Sequence, residues 1–99
     1  MSIEAQKIIK YIPIVNFITL ILFLKTCSKY SVSAKIIFKF VFDAFIWIAA
    51  ISILITFFGG ILSSSDLAIV IDLIHTYFVF YFAADTAVRY QEKILNEHK

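Results

Sequence analysis

A continuous apolar stretch over residues 67–84 constrains this chain more than any other feature. It reads LAIVIDLIHTYFVFYFAA, in which only Asp72, His75 and Thr76 are not apolar. A helix needs about 20 apolar residues to cross the hydrocarbon core of a bilayer. An aspartate inside such a helix costs roughly 2.5–3.5 kcal/mol on an insertion scale. We therefore expect Asp72 and His75 to face protein or water rather than lipid.

The composition extends this interpretation to the whole chain. It is 62% hydrophobic and 16% charged, against about 45–50% and about 25% in globular domains. A water-soluble domain of 99 residues with this composition would leave much apolar surface exposed. Two Gly and one Pro are too few for a turn-rich β-fold. The sequence predicts an all-α integral membrane protein without a β-sheet, with residues 1–99 as a single membrane domain.

Three transmembrane helices are predicted, over approximately residues 8–24, 40–62 and 67–88. The first is short, because residues 11–24 carry no charge but include Pro13 and barely reach the length of a spanning helix. A re-entrant or interfacial segment is the alternative for it. A turn is predicted over 63–66, with Ser65 or Asp66 capping the third helix. The polar tail 89–99 is expected to continue that helix beyond the membrane.

Orientation follows from the basic residues. With three spans, residues 25–39 and the tail lie on one side and hold seven of the nine basic residues, whereas the other side holds Lys7 and Lys10. The positive-inside rule then places the N-terminus outside and the C-terminus in the cytoplasm. We place the chain in a bacterial inner membrane. If the first run does not span, the N-terminus moves inside and the rest of the assignment is unchanged.

Polar residues at hydrocarbon depth are the candidate site. We expect Lys10 to compensate Asp72 across helices, and Asn16 to pair with His75 or Thr76. Three interpretations of Asp72 and His75 stay open: a hydrogen-bonded pair that fixes helix register, a proton relay or ion path, and a metal or haem ligand. The candidate intramembrane polar or ion-path residues are Asp72, His75, Thr76, Asn16 and Lys10.

Small residues at helical spacing predict where the second and third helices pack, because they let backbones approach closely in lipid. These residues are Ala49, Ser52, Thr56 and Gly60 on the second helix, and Ala68 and Ala83 on the third. Two pairs at i,i+4 spacing mark the inner boundary, Lys39 with Asp43 and Asp85 with Arg89. Cys27, the single cysteine, lies beside that boundary as an acylation site or a bystander thiol.

The motifs that carry enzyme chemistry are missing from the sequence. There is no Gly-rich phosphate loop, zinc motif or Ser/His/Asp arrangement. A net charge of +2 without a basic block sets nucleic acid aside. We expect no enzyme, no metal and no cofactor. The sequence predicts a small multispanning membrane protein that acts as an oligomerising or accessory subunit of a membrane complex. Its partners would be the lipid bilayer and either further copies of itself or a larger membrane protein.

Two other functions stay open. A length near 100 residues, three spans, an outside N-terminus and a short basic tail resemble the three-span class of phage holins in architecture, which implies a pore former. The third possibility is a proton- or ion-coupled channel or transport subunit that uses Asp72 and His75.

Overall fold

The computed structural model describes residues 2–61 and 65–97, and all of its regular elements within these ranges are α-helices. They are α1 (Ile3–Ile9), α2 (Phe17–Lys29), α3 (Ala34–Ile61) and α4 (Ser65–Glu97). The predicted all-α class is confirmed. The predicted turn over 63–66 and its capping by the Ser65 or Asp66 side chain lie outside the described residues and side chains.

Helices α3 and α4 form an antiparallel hairpin, which is the longest part of the molecule. Contacts along the hairpin pair residues in opposite sequence order: Asp43 with Tyr90, Trp47 with Phe82, and Ser52 with His75. Helix α3 begins at Ala34, earlier than the predicted start near residue 40. Helix α4 continues through the polar tail to Glu97, as the sequence predicts.

The most apolar parts of the hairpin are also its most exposed parts. Two helical segments, Ala34–Gly60 and Ala68–Glu97, are long and apolar enough to cross a membrane, and only 6% of the most apolar stretch of each is buried. In water such a surface would drive association or aggregation, whereas in a bilayer it meets acyl chains. Large exposed apolar side chains on the hairpin include Phe38, Phe42, Phe45, Ile53, Phe57, Ile69 and Leu73.

The first apolar run does not form the predicted helix over 8–24. Helix α1 ends at Ile9 and α2 begins only at Phe17. Pro13 has no amide hydrogen to donate, and Ile14 has a φ of 70°, which a right-handed helix does not allow. The 13 residues of α2 extend about 20 Å, less than the hydrocarbon core of about 30 Å. Three transmembrane helices are therefore not confirmed, and the part of the chain that the structure describes holds two candidate spans.

Residues 3–29 instead form the N-terminal hairpin, which consists of α1, the link 10–16 and α2. It folds back along the last two thirds of α4, where Lys7 lies 3.5 Å from Glu92 and Tyr77 donates a hydrogen bond to the Tyr11 carbonyl. Helix α1 and the last turns of α4 are therefore at the same end of the molecule. The predicted outside N-terminus and cytoplasmic C-terminus depended on a first run that crosses the bilayer as one helix, and residues 8–24 do not form one helix. The orientation itself stays a prediction.

The buried core lies at this same end, where α2 meets α3 and α4. Phe23, Cys27, Ala87 and Ile94 form a buried cluster, and the Phe23 and Phe40 ring centroids are 4.2 Å apart. Burial raises the pKa of the Cys27 thiol, so the thiol stays protonated and shielded, and protonated thiols are poor nucleophiles. The structure therefore offers no accessible thiol at Cys27 for acylation.

Helix α2 ends in a hydrogen-bonded cap that continues into this core. The Val32 amide donates to the Cys27 carbonyl at 3.0 Å, and the Ser31 amide donates to the Ser28 carbonyl at 3.4 Å. This is the Schellman pattern, which requires a left-handed residue after the helix. Ser31 occupies that position with a φ of 51°, a conformation that costs an L-residue about 1–2 kcal/mol and glycine almost nothing.

The substitution Ser31→Gly is therefore expected to raise the free energy of unfolding by about 1 kcal/mol. The matched control is Ser33→Gly, at an exposed position whose φ is not positive. The control should lower stability by about 0.4–1 kcal/mol, because glycine adds freedom to the unfolded chain. Denaturant unfolding in one detergent at fixed concentration measures both. Equal destabilisation by the two variants would contradict the assignment of Ser31 as the left-handed residue of the α2 cap.

Candidate functional site

Helix α4 carries two separate polar regions. The mid-hairpin group lies halfway along the α3–α4 hairpin and consists of Ser52, Asp72, His75 and Thr76. The seam lies between α4 and the N-terminal hairpin and consists of Gln6, Lys10, Asn16, Thr19, Asp85, Arg89 and Gln91. Thirteen residues separate Asp72 from Asp85, which is about 20 Å along a helix. The two regions are therefore distinct sites.

In the mid-hairpin group, one hydrogen bond joins the two long helices. Ser52 Oγ and His75 Nε2 are 2.7 Å apart, and both residues are half-buried. The Thr76 hydroxyl is used locally, because it donates to the Asp72 backbone carbonyl at 2.9 Å. The Asp72 side chain is exposed, and no described residue pairs with its carboxylate. His75 thus bonds to α3, while Asp72 points away from the rest of the chain.

Lys10 does not compensate Asp72 as predicted. Its Nζ lies 2.7 Å from Asp85 Oδ1, at the other end of α4. The prediction placed Lys10 at the depth of Asp72 on a spanning helix, but the first run turns back after α1. Lys10 therefore lies at the depth of Asp85.

Asn16 also lies far from its predicted partners, His75 and Thr76. It is fully buried in the seam, where its Nδ2 donates to the Lys10 carbonyl at 3.3 Å. Its Oδ1 has no hydrogen-bond partner within the described ranges. Asn16 therefore forms its hydrogen bond within the link 10–16 and does not pair with His75 or Thr76.

The charged part of the seam is a carboxylate shared by two cations. Asp85 contacts Lys10 through Oδ1, and its Oδ2 lies 3.2 Å from Arg89 Nε. The i,i+4 pair of Asp85 with Arg89 is thus present as its spacing predicts. The side chains of Lys10 and Asp85 are only 16% and 21% exposed, and Lys10 Nζ also lies 5.2 Å from the Tyr11 ring centroid. A pair this buried is poorly screened, and loss of one partner leaves the other uncompensated.

The uncharged part of the seam is a reciprocal pair of amides. Gln6 donates to Gln91 at 3.1 Å and Gln91 donates back at 2.7 Å. Gln91 also donates to the Thr19 carbonyl at 3.1 Å, so α1, α2 and α4 meet at one side chain. Both glutamines are almost fully buried. Sequence reasoning missed them, because an uncharged polar residue near each chain end carries no signal until the two segments are known to pair.

The predicted packing stripes are realised only in part. Ser52 contacts α4 through His75, whereas Thr56 and Ala68 are exposed. At the far end Gly59, not Gly60, faces α4: a Cβ at Gly59 would lie 3.7 Å from Ile71, and one at Gly60 would meet open space. Two predicted packing residues, Ala49 and Ala83, are half-buried.

The predicted inner-boundary pair of Lys39 with Asp43 is not formed. Asp43 Oδ2 instead accepts a hydrogen bond from the Tyr90 hydroxyl at 3.3 Å. Lys39 is exposed and makes no ion pair with any residue that the structure describes. Asp43 therefore joins α3 to α4 rather than neutralising a charge on its own helix.

Within residues 2–61 and 65–97, no group of three or more His, Cys, Asp or Glu side chains is placed to hold a metal ion. No family model matches this chain, and comparisons with curated proteins and with solved structures found no similar protein. The seam connects segments of this chain, whereas the Asp72 side chain is exposed and its carboxylate has no partner among the described residues.

The substitution Lys10→Met tests the seam. It leaves Asp85 its second cation, Arg89, but removes the ionic bond from the N-terminal hairpin to α4. We expect the free energy of unfolding to fall by about 1–3 kcal/mol. The matched control, Lys7→Met, removes the half-exposed pair with Glu92 and should cost less than about 1 kcal/mol. Denaturant unfolding in a single detergent compares the two variants. Equal losses in the free energy of unfolding would contradict the conclusion that the Lys10–Asp85 pair attaches the N-terminal hairpin to α4.

Proposed function

We propose that α3 and α4 cross a bilayer and that the N-terminal hairpin enters it from one side only. Support comes from the dimensions of α4. The 20 residues from Ser65 to Asp85 extend about 30 Å, which is the thickness of the hydrocarbon core. Tyr77, the partner of Tyr11, lies about 12 Å inside the Asp85 boundary. The exposed apolar residues of the link, Ile12 and Ile14, then meet acyl chains of one leaflet.

The distribution of basic residues supports a cytoplasmic location for both chain ends. With two spans, every basic residue falls before Asp43 or after Asp85 in the sequence. All of them then lie on the same side of the membrane, and the short connection between α3 and α4 has none. Because basic loops are retained in the cytoplasm, we place the N-terminus and the C-terminus there, in a bacterial inner membrane.

The proposed function is that of a non-enzymatic membrane subunit that assembles with further copies of itself through the Asp72 face of α4. One observation carries it: Asp72 is exposed about 10 Å below the start of α4. An aspartate facing lipid at that depth costs several kcal/mol, and such residues normally face protein. A second chain that donates a hydrogen bond to Asp72 removes this cost, as polar groups do between membrane helices.

The geometry favours assembly over the two alternatives. The resemblance to phage holins depended on three spans and an outside N-terminus, and the structure has two candidate spans and adjacent chain ends. A proton or ion path would have to connect Asp72 and His75 with Lys10, which lies about 20 Å further along α4. The described hydrogen bonds do not join these groups: His75 bonds to Ser52, the Thr76 hydroxyl to the Asp72 backbone carbonyl, and Lys10 to Asp85.

Cysteine crosslinking tests the assembly. In a Cys27→Ser background, Ile69→Cys places a thiol one turn before Asp72 on the same face, at a position that is 66% exposed. The matched control is Ile74→Cys, which is 45% exposed and lies about 200° around α4 from Asp72. We expect disulfide-linked dimers of Ile69→Cys in oxidised membranes and none of Ile74→Cys.

Adding Asp72→Leu to the Ile69→Cys chain should lower the amount of crosslinked dimer, because the carboxylate that requires a hydrogen-bond donor is removed. Equal crosslinking at both positions, or none at either in membrane-inserted protein, would contradict assembly through this face.

A further inference from the structure

Thr56 is the one threonine whose hydroxyl makes no hydrogen bond within the part of the chain that the structure describes. The hydroxyls of the other four each donate to a backbone carbonyl three or four residues earlier, and they belong to Thr19, Thr26, Thr76 and Thr86. Thr56 is exposed on α3. It borders an open groove of about 380 Å³, which is lined by Ser52, Ile53, Thr56 and Phe57. The Thr56 hydroxyl is therefore available to another molecule.

Thr56 and Asp72 lie at nearly the same level along the α3–α4 hairpin. The Ser52–His75 hydrogen bond fixes how the two helices are paired. Thr56 lies four residues beyond Ser52, or about 6 Å, and Asp72 lies three residues before His75, or about 4.5 Å. Because the helices are antiparallel, both steps lead in the same direction, away from the seam. The two side chains therefore differ by only about 1.5 Å in depth.

Both residues also lie on one side of this hairpin. Thr56 shares a face of α3 with Ser52 at i,i+4, and Asp72 shares a face of α4 with His75 at i,i+3. The Ser52–His75 bond joins these two faces. The N-terminal hairpin lies on the other side of α4, because Tyr81, whose ring contacts it, is about 180° around the helix from Asp72. The N-terminal hairpin therefore leaves the Thr56 and Asp72 side free for a second chain.

The depth of Asp72 limits which groups of a second copy can reach it. A copy in the same membrane orientation keeps every residue at its own depth, so the available donors are those that this chain has at the level of Asp72. Among the described polar side chains near that level, Ser52 and His75 bond to each other. The Thr76 hydroxyl donates within α4. The uncommitted donor at this depth is therefore Thr56.

We propose that two copies of this chain pack about a twofold axis normal to the membrane, and that the Thr56 hydroxyl of each donates a hydrogen bond to the partner's Asp72 carboxylate. Under twofold symmetry the same surface serves both chains, so this contact occurs twice. Each α4 then lies against both helices of the partner hairpin, with Asp72 at the groove between them. This inference rests on the proposed assembly, and it adds the donor and the symmetry.

Disulfide crosslinking between two differently tagged chains tests the contact directly. In a Cys27→Ser background, one chain carries Thr56→Cys and the other carries Asp72→Cys. One of the two contacts is then intact, and thiols replace the other. We expect a disulfide-linked heterodimer in oxidised membranes. The matched control pairs Asp72→Cys with Leu54→Cys, which is 50% exposed and lies about 200° around α3 from Thr56, and it should give no heterodimer.

Valine substitutions test the hydrogen bond itself. Thr56→Val keeps the shape of the side chain and removes the donor. In the Ile69→Cys chain it should lower the amount of crosslinked dimer by roughly fivefold, because two hydrogen bonds between membrane helices are lost. Thr76→Val removes a hydroxyl that is also exposed but donates within α4, so it should leave the dimer unchanged. Far-UV circular dichroism verifies that both variants remain helical.

Two results would overturn this contact. One is crosslinking of Asp72→Cys that is no stronger to Thr56→Cys than to Leu54→Cys. The other is an equal amount of Ile69→Cys dimer in the Thr56→Val and Thr76→Val chains. If the Ile69→Cys dimer persists in either case, assembly through the Asp72 face stands without this contact. Absence of that dimer in membrane-inserted protein overturns the proposed function and this inference together.

Discussion

The carboxylate of Asp85 joins the two parts of this molecule. One oxygen contacts Lys10 of the N-terminal hairpin, and the other contacts Arg89 one turn further along α4. Without Asp85, the Lys10 charge would lie unpaired in a largely buried position, where desolvation is costly. The buried Gln6–Gln91 amides add a second attachment beyond it. Together these contacts keep an apolar segment folded against α4, although its length approaches that of a spanning helix.

This attachment determines how the remaining polar groups are distributed. The buried core and the three ion pairs of the described residues lie at the end of the molecule where α1 meets the last turns of α4. The rest of the α3–α4 hairpin is thin and has one described polar cross-link, between Ser52 and His75. Two helices that bury His75 against Ser52 cannot also bury Asp72 between them. The exposed carboxylate of Asp72 is therefore a consequence of using the N-terminal segment elsewhere, and the proposed assembly would cover it.

Local sequence patterns predicted only the local features. Long apolar runs indicated α3 and α4, and i,i+4 spacing indicated the Asp85–Arg89 pair. The contact between Lys10 and Asp85 joins residues 75 positions apart, and no periodicity encodes it. One wrong assumption, a continuous helix through Pro13 and Ile14, misplaced Lys10 and Asn16 together. The glutamine pair was missed for the same reason, since its partners meet only because the chain turns back.

The most direct test of this account is the side of the membrane on which each chain end lies. In a Cys27→Ser background, Glu4→Cys and Asn96→Cys place single thiols at exposed positions near the two ends. An impermeant maleimide is applied to right-side-out and to inside-out membrane vesicles. The account predicts that both thiols are labelled only in inside-out vesicles. Labelling of Glu4→Cys and Asn96→Cys from opposite sides would contradict it, because the N-terminal segment would then cross the bilayer.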